Sequence, residues 1–352
     1  MMNYQTISLN LANELTSRFQ DKIEAILLTG SAARGEFSSS AQAQFSDLDF
    51  LVVLRETNPI LSVFEEKKIR RFTKTLEEKM KAIGLEISIG FANAYPNHWR
   101  MATPFMWELR ENALLLQGNP RVVDWPVIHT SDQIPAWEGA RLLANRLCEF
   151  FGSLAQNSND PENSSSYSLI KLAIACSECL LISSGQYQST YAQRQAAHMQ
   201  IRSAFTAEEN SLIDLAYKAK LSSQFDAFWD DQEMINTVFK MVLHTFDYLG
   251  LNTRRDWTEF LNSKGFSWND IYSNLSYFLN NLATGQIVRF HHAITDTYLK
   301  SVSLAKEIVL GKSIQSSPSL VERARNIYLE YKRVPQIVSV VIEPSWRIPW
   351  KF

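Results

Sequence analysis

Along the first part of the chain the apolar residues change period several times, and the changes outline the elements. Ile7 to Gln20 sets Leu9, Leu11, Leu15 and Phe19 among polar residues at roughly helical spacing and predicts a bracing helix. Ile23 to Thr29 reads as a strand. A second strand opens at Asp47 and runs through Leu51, Val52, Val53 and Leu54 without polar relief, as a strand buried on both faces does. Asn58-Pro59 marks a turn, and Ile60 to Ile83 predicts a charged amphipathic helix with Ile69, Phe72, Leu76 and Met80 inward. Gly84 ends it. Leu85 to Asn93 alternates as a third strand, with Ile87, Ile89 and Phe91 on one face and Glu86, Ser88 and Gly90 on the other. Pro104 to Leu116, followed by Gln117-Gly118-Asn119-Pro120, predicts a helix, a glycine cap and a turn.

The second part has a different texture. Pro126 and Pro135 bracket the expected boundary, which divides the chain into 1–130 and 131–352; from about Trp137 long helical periods follow. Gly139 to Leu154 is one helix, and the polar stretch AQNSNDPENSSS after it predicts a surface loop. Tyr167 to Ser183 is nearly all apolar and predicts the central helix of a bundle. Further helices from Phe205 to Ile314 carry an aromatic stripe, Phe225, Phe228, Trp229, Phe239, Phe246, Trp257, Trp268 and Phe278, read as core with the lining of an acceptor pocket as the alternative. Ser316-Ser317-Pro318 starts a last helix to about Lys332, and PQIVSVVIEPSW at the end is strand-like.

Composition narrows the function classes. At 352 residues the chain exceeds one ordinary domain, and 45% hydrophobic with 20% charged residues describes a globular protein with ample core. A formal charge of −2 gives no basic field to gather nucleic acid, so a nucleic-acid partner is not expected. Three cysteines argue for a reducing compartment, the start MMNYQTISLN lacks the pattern of a signal peptide, and no membrane span of ~18 apolar residues is expected. The cytoplasm is the expected location. The KKIRR run in the third predicted helix, flanked by EE and LEEK, reads as a solvated face. Cys176-x-x-Cys179 lies inside a helical pattern and reads as buried packing; His244 and His291-His292 lack zinc-spaced partners and read as structural.

Candidate chemistry centres on Leu28 to Leu54. Asp47 and Asp49 are two apart on a strand and share a face. Two neighbouring carboxylates at a strand mouth need cations or protons to neutralise them, and Mg²⁺ suits a site of one or two carboxylates with substrate phosphates. Gly30-Ser31, at the end of the preceding strand, lets the backbone approach an anion and adds a hydroxyl donor. There is no G-x-x-x-x-G-K-[ST] and no G-x-G-x-x-G after a strand, so phosphates would be held by this short turn together with metal. Lys171, alone in an apolar helix, either reaches out to water or points at an anion between the two parts.

Gly30-Ser31, Arg34-Gly35 and Ser46-Asp47-Leu48-Asp49 together resemble the nucleotidyltransferase superfamily typified by DNA polymerase beta, in the bacterial two-domain form of the aminoglycoside nucleotidyltransferases. FSSSAQAQF makes the span from Ser31 to Asp47 a few residues longer than is usual there. The resemblance implies an α+β fold: a mixed sheet flanked by helices, then an all-α bundle on the acceptor side. It implies two Mg²⁺ ions on Asp47 and Asp49, with Glu86 as third carboxylate or base, and ATP or another NTP as co-substrate. Gly30, Ser31, Arg34, Ser46 and Lys171 would bind the nucleotide. The implied reaction moves a nucleoside monophosphate to a hydroxyl of a small molecule and releases pyrophosphate. Tyr187, Tyr191 and Arg194, in a segment similar to one in related two-domain proteins, are weaker candidates for the acceptor side, with surface packing the alternative. Two rivals stand beside this reading: AMP transfer to protein or RNA, as in toxin and antitoxin pairs with a helical HEPN partner, and nucleotide sensing without chemistry. For the HEPN signature Arg194 and His198 are one residue too close.

Overall fold

The computed structural model describes residues 4–36, 48–56, 59–94, 99, 101–156, 165–222, 232–251, 253, 255–257, 293–311 and 317–333. α1 (Tyr4–Phe19) turns Ser8, Leu11, Ala12 and Leu15 inward, a stripe at i, i+3, i+4 and i+7. Leu9, expected to face in, falls off that stripe and is exposed. β1 (Ile23–Thr29) and β2 (Leu48–Leu54) are buried everywhere except at Glu24 and Asp49. They run antiparallel, with Leu27 opposite Leu51 and Thr29 opposite Asp49. α3 (Pro59–Ala82) then crosses over, so β3 (Ile87–Asn93) lies parallel to β2, as a parallel neighbour requires.

α4 (Pro104–Asn112) starts on Thr103, whose hydroxyl accepts the Met106 N–H at 3.1 Å. The helix expected to reach Leu116 stops four residues short of it, and β4 (Leu114–Gly118) pairs antiparallel with β1, giving the order β3-β2-β1-β4. Three consecutive leucines fit either period, so the pattern alone could not place this edge strand.

Each face of the sheet has its own cover. Ile26, Leu28, Phe50 and Val52 pack against α1 and against Ile69 and Leu76 of α3. On the outer side of α3 the basic run is solvated: Lys68 pairs with Glu65 and Arg70 with Glu66. The alternate residues Ala25, Leu27, Leu51 and Val53 join Met106 and Leu109 of α4 and then the helical region in one continuous core.

That region comprises α5 (Ala136–Gln156), α6 (Ser165–Ser183), α7 (Tyr191–Ile201), α8 (Ala207–Ser222), α9 (Gln232–Tyr248), α10 (Ala293–Val309) and α11 (Pro318–Arg333). α6 is its axis. From Ser166 to Ile182 every residue but Ser168 and Lys171 is buried. Against the sequence expectation, α6 is long and apolar enough to cross a membrane, the one such helix among the described residues; here it is packed inside the bundle. α5 comes so close that a Cβ on Gly139 would lie 2.6 Å from the Cys179 carbonyl oxygen. Cys148, Cys176 and Cys179 are buried, and burial pushes their thiols up, which suits packing. Of the expected loop at 155–166, Ala155 and Gln156 end α5 and Ser165 and Ser166 open α6; its middle, 157–164, lies outside the described residues, as do His291-His292, Phe225, Phe228, Trp229, Trp268, Phe278 and the strand-like end.

Candidate active site

β1 ends where the site begins. Gly30 opens the one-turn α2 (Gly30–Ala33) with φ +65, a value L side chains rarely adopt, and its Cα faces Asp49: a Cβ there would lie 2.0 Å from Asp49 Oδ2. Glycine is therefore required twice, once by the backbone angle and once by the carboxylate. The ladder continues the row sideways. Thr29 lies opposite Asp49 on β1, its hydroxyl donating to the Asp49 carbonyl at 3.3 Å, and Ser88 lies opposite Asp49 on β3.

Thr29, Asp49 and Ser88 line the floor of a cleft of about 490 Å³ between the sheet and α5 to α8. Two lysines dominate its helical wall. Lys171 Nζ stands 4.1 Å from the centre of the Tyr167 ring, and Lys220 Nζ donates to the Tyr167 hydroxyl at 2.8 Å while lying 4.8 Å from the same ring. Arg146 of α5 also lines the cleft and binds Glu149 at 2.5 Å.

At one side the two walls are joined by charge. Arg34, directly after α2, donates to Glu36 at 2.8 Å and to Glu108 of α4 at 2.7 Å. The other oxygen of Glu108 accepts from Arg194 of α7 and from the Tyr187 hydroxyl, the latter at 2.6 Å. Arg194 binds Glu178 of α6 at 2.5 Å as well and donates to the Gln188 and Ser189 carbonyls. Burial raises the Glu108 carboxyl, but Arg194, Arg34 and Tyr187 outweigh it and hold it below the usual carboxylate range. Burial alone would lower Arg34 and Arg194; their carboxylate partners raise both.

Gly30, Ser31, Arg34, Asp49 and Lys171 thus meet at one cleft. Asp47 and Ser46 lie outside the described residues. Glu86 precedes β3; its carbonyl accepts the Leu48 N–H at 3.0 Å, and its carboxylate lies 3.5 Å from Lys81 Nζ. The register sets Ser88, not Glu86, directly beside Asp49. Among the described residues no three acidic, histidine or cysteine side chains converge as a metal site. Beside the Asp49 carboxylate the ladder sets two hydroxyl residues, Thr29 and Ser88, and oxygen groups of this kind fit a hard divalent ion.

Tyr187 and Arg194 are not surface packing: both are buried members of the charged network, and both line the cleft, where the acceptor side was expected. His198 is also buried. Asn210 donates its amide to three carbonyls, so its Oδ1 accepts from His198 Nε2 at 3.0 Å and leaves His198 Nδ1 to accept from Ser177. With both nitrogens engaged and no exposure, His198 has no route to an RNA phosphodiester. Glu108 and Lys220 were not singled out from the sequence. The Tyr167 and Lys171 pair, four apart on an apolar helix, was a visible signal for this wall.

A glycine turn pressed against a strand aspartate, at the floor of a cleft whose helical wall presents Lys171 and Lys220, has the form of a site for phosphate transfer. Comparison with known families makes the class specific: residues 10–100 match the family model described as nucleotidyltransferase domain. The matched segment takes in the glycine turn, both aspartates and Glu86, so the chain carries the domain of a nucleotidyltransferase enzyme. A search of curated proteins finds no match.

Proposed function

We propose that the protein transfers a nucleoside monophosphate, AMP from ATP, to a hydroxyl group of a small molecule and releases pyrophosphate, in the manner of the two-domain aminoglycoside nucleotidyltransferases. The observation that carries this reading is the juxtaposition of Gly30 and Asp49 at the floor of a cleft whose opposite wall bears Lys171 and Lys220. The volume of about 490 Å³ is within the range of small-ligand pockets.

In this scheme Gly30, Ser31 and Ser46 hold the triphosphate from the sheet side and Lys171 steadies it from the helical side, with Arg34 beside the turn. Asp47 and Asp49 would hold Mg²⁺, and Glu86, whose carboxylate lies 3.5 Å from Lys81 and outside the cleft lining, would have to leave that lysine to serve as third ligand or base. Magnesium bound there supplies positive charge against the triphosphate and acidifies the acceptor hydroxyl. The acceptor oxygen forms a bond to the α-phosphorus, the bond from that phosphorus to the bridging oxygen of pyrophosphate breaks, and the hydroxyl proton passes to a carboxylate.

The test is pyrophosphate release from each of the four NTPs with Mg²⁺ and a pool of extracted small molecules, followed by identification of the labelled product. Asp49→Asn should lower release by roughly a thousandfold or more, on the order of 4 kcal/mol of lost transition-state stabilisation, with the fold retained. Unchanged release in that variant would sink the assignment, and label appearing on protein or RNA would replace the acceptor class.

A further inference from the structure

We infer that Glu108 is a positioning residue: its single carboxylate ties the segment that carries the anion turn to the N-terminal end of α7 and so fixes the nucleotide side of the cleft. The inference rests on the nucleotidyl-transfer reading above for its catalytic consequence, though not for the tie itself.

The segment after β1 is folded on itself. Arg34 N–H reaches the Gly30 carbonyl at 3.3 Å, and Glu36 N–H reaches the Ser31 carbonyl at 2.9 Å. What orients this unit comes from outside it. Glu108 Oε2 takes Arg34, while Glu108 Oε1 takes Arg194 and Tyr187, so the two oxygens of one group divide between the sheet side and the helical side. A parallel strand of the same tie runs through Glu36, whose Oε1 accepts the Ala192 N–H at 3.2 Å in the first turn of α7. Tyr191 lies between, its ring 5.2 Å from the Arg34 guanidinium and 4.8 Å from that of Arg194.

The charges explain why a carboxylate is needed there. Arg34 and Arg194 repel each other, and Glu108 lies between them. Without its charge Arg194 keeps Glu178 and two carbonyls, so the fold around α7 retains its own anchors. Arg34 keeps its bond to Glu36, and the turn loses its bond to α4. The loss therefore falls on the orientation of residues 30–36, where the phosphates would bind, more than on the helical core. Glu108 acts through Arg34 and Arg194, and is not among the groups assigned above to the metal or the transferred proton.

The experiment compares the full-length wild type with Glu108→Gln by hydrogen exchange and by nucleotide kinetics with Mg²⁺. Exchange should quicken about tenfold in 31–36 and by a smaller factor in 191–194, leaving α3 and α9 unchanged, and KM for the nucleotide should rise about tenfold with kcat within about twofold. That is the loss expected for one charge-assisted hydrogen bond acting on ground-state binding. A merely structural glutamate would change thermal stability while leaving KM alone. Unchanged exchange in those two segments, or an unchanged KM in the folded variant, overturns the inference. Should Glu108→Gln fail to fold by circular dichroism, Tyr187→Phe removes one bond to the same oxygen and should raise KM about threefold; no change in it overturns the inference equally. If the wild type binds and turns over no nucleotide, the nucleotidyl-transfer reading fails and the positioning role fails with it, while coordinated exchange would still establish the tie.

Discussion

Gly30 and Gly35 form a natural pair of probes, because both hold a positive φ, +65 and +72, and they differ in what a side chain would meet. An alanine at either position carries the left-handed backbone penalty, about 1–2 kcal/mol. At Gly35 nothing lies within 4 Å of the new Cβ, so Gly35→Ala should cost that and no more. At Gly30 the Cβ also meets Asp49, with Oδ2 at 2.0 Å, Cγ at 2.8 Å and Cβ at 3.0 Å, and overpacking of this kind adds about 1–3 kcal/mol. Gly30→Ala should therefore cost about 2–5 kcal/mol, read from urea unfolding, and a protein with roughly 5–15 kcal/mol to lose should still fold. The carboxylate must swing aside to admit the methyl. A displacement of about 1 Å at a reacting group can cost about a hundredfold in rate, so transfer should collapse in Gly30→Ala and persist in Gly35→Ala. In an Asp49→Ala background the two nearest clashing atoms are gone, and the stability gap between the two glycine variants should close. Equal destabilisation by the two variants, or a gap that survives in that background, would refute the contact argument.

Two further outcomes follow from the same geometry. Burial lowers the His198 pKa from its ordinary value of 6.5, so the unfolded chain takes up the proton first; stability should be full above pH 6.5 and fall as pH drops through it, by at most about 1.4 kcal/mol per pH unit. His198→Gln should flatten the stability profile between pH 7 and 5, and a slope equal to wild type would contradict the buried neutral imidazole. Lys171→Gln and Lys220→Gln should each raise KM for the nucleotide several-fold, with the difference shrinking as salt rises from 0.05 to about 0.5 M; a salt-independent effect would point to packing on Tyr167.

Local pattern and distant pairing contributed differently to what the chain reveals. β1, β2, β3 and α3 announce themselves because each has one period set by burial on a known number of faces. β4 does not, since its three leucines satisfy two periods and the choice is made by pairing with β1, about ninety residues earlier. The glycine turn and Asp49 could be connected because a short motif holds them on adjacent strands. Whether Glu86 or Ser88 sits beside Asp49 is a matter of strand register, which alternation within one strand does not contain. Glu108 was invisible for the same reason at larger scale: its partners Arg34 and Arg194 are 74 and 86 residues away. A half-buried glutamate between Trp107 and Leu109 has no local signature that separates it from an ordinary helix surface.

The alternation along β1 and β2 has a practical meaning for anyone who would treat the motif as a portable part. One set of side chains, Ile26, Leu28, Phe50 and Val52, is served by α1 and α3, while the set between them, Ala25, Leu27, Leu51 and Val53, is served through α4 by the helical region. The sheet is a party wall. Cutting the chain after residue 130 would strip one side of it bare, so the excised piece should aggregate or demand a substitute cover, and grafting the turn and its aspartates onto another protein means transplanting two cores rather than one.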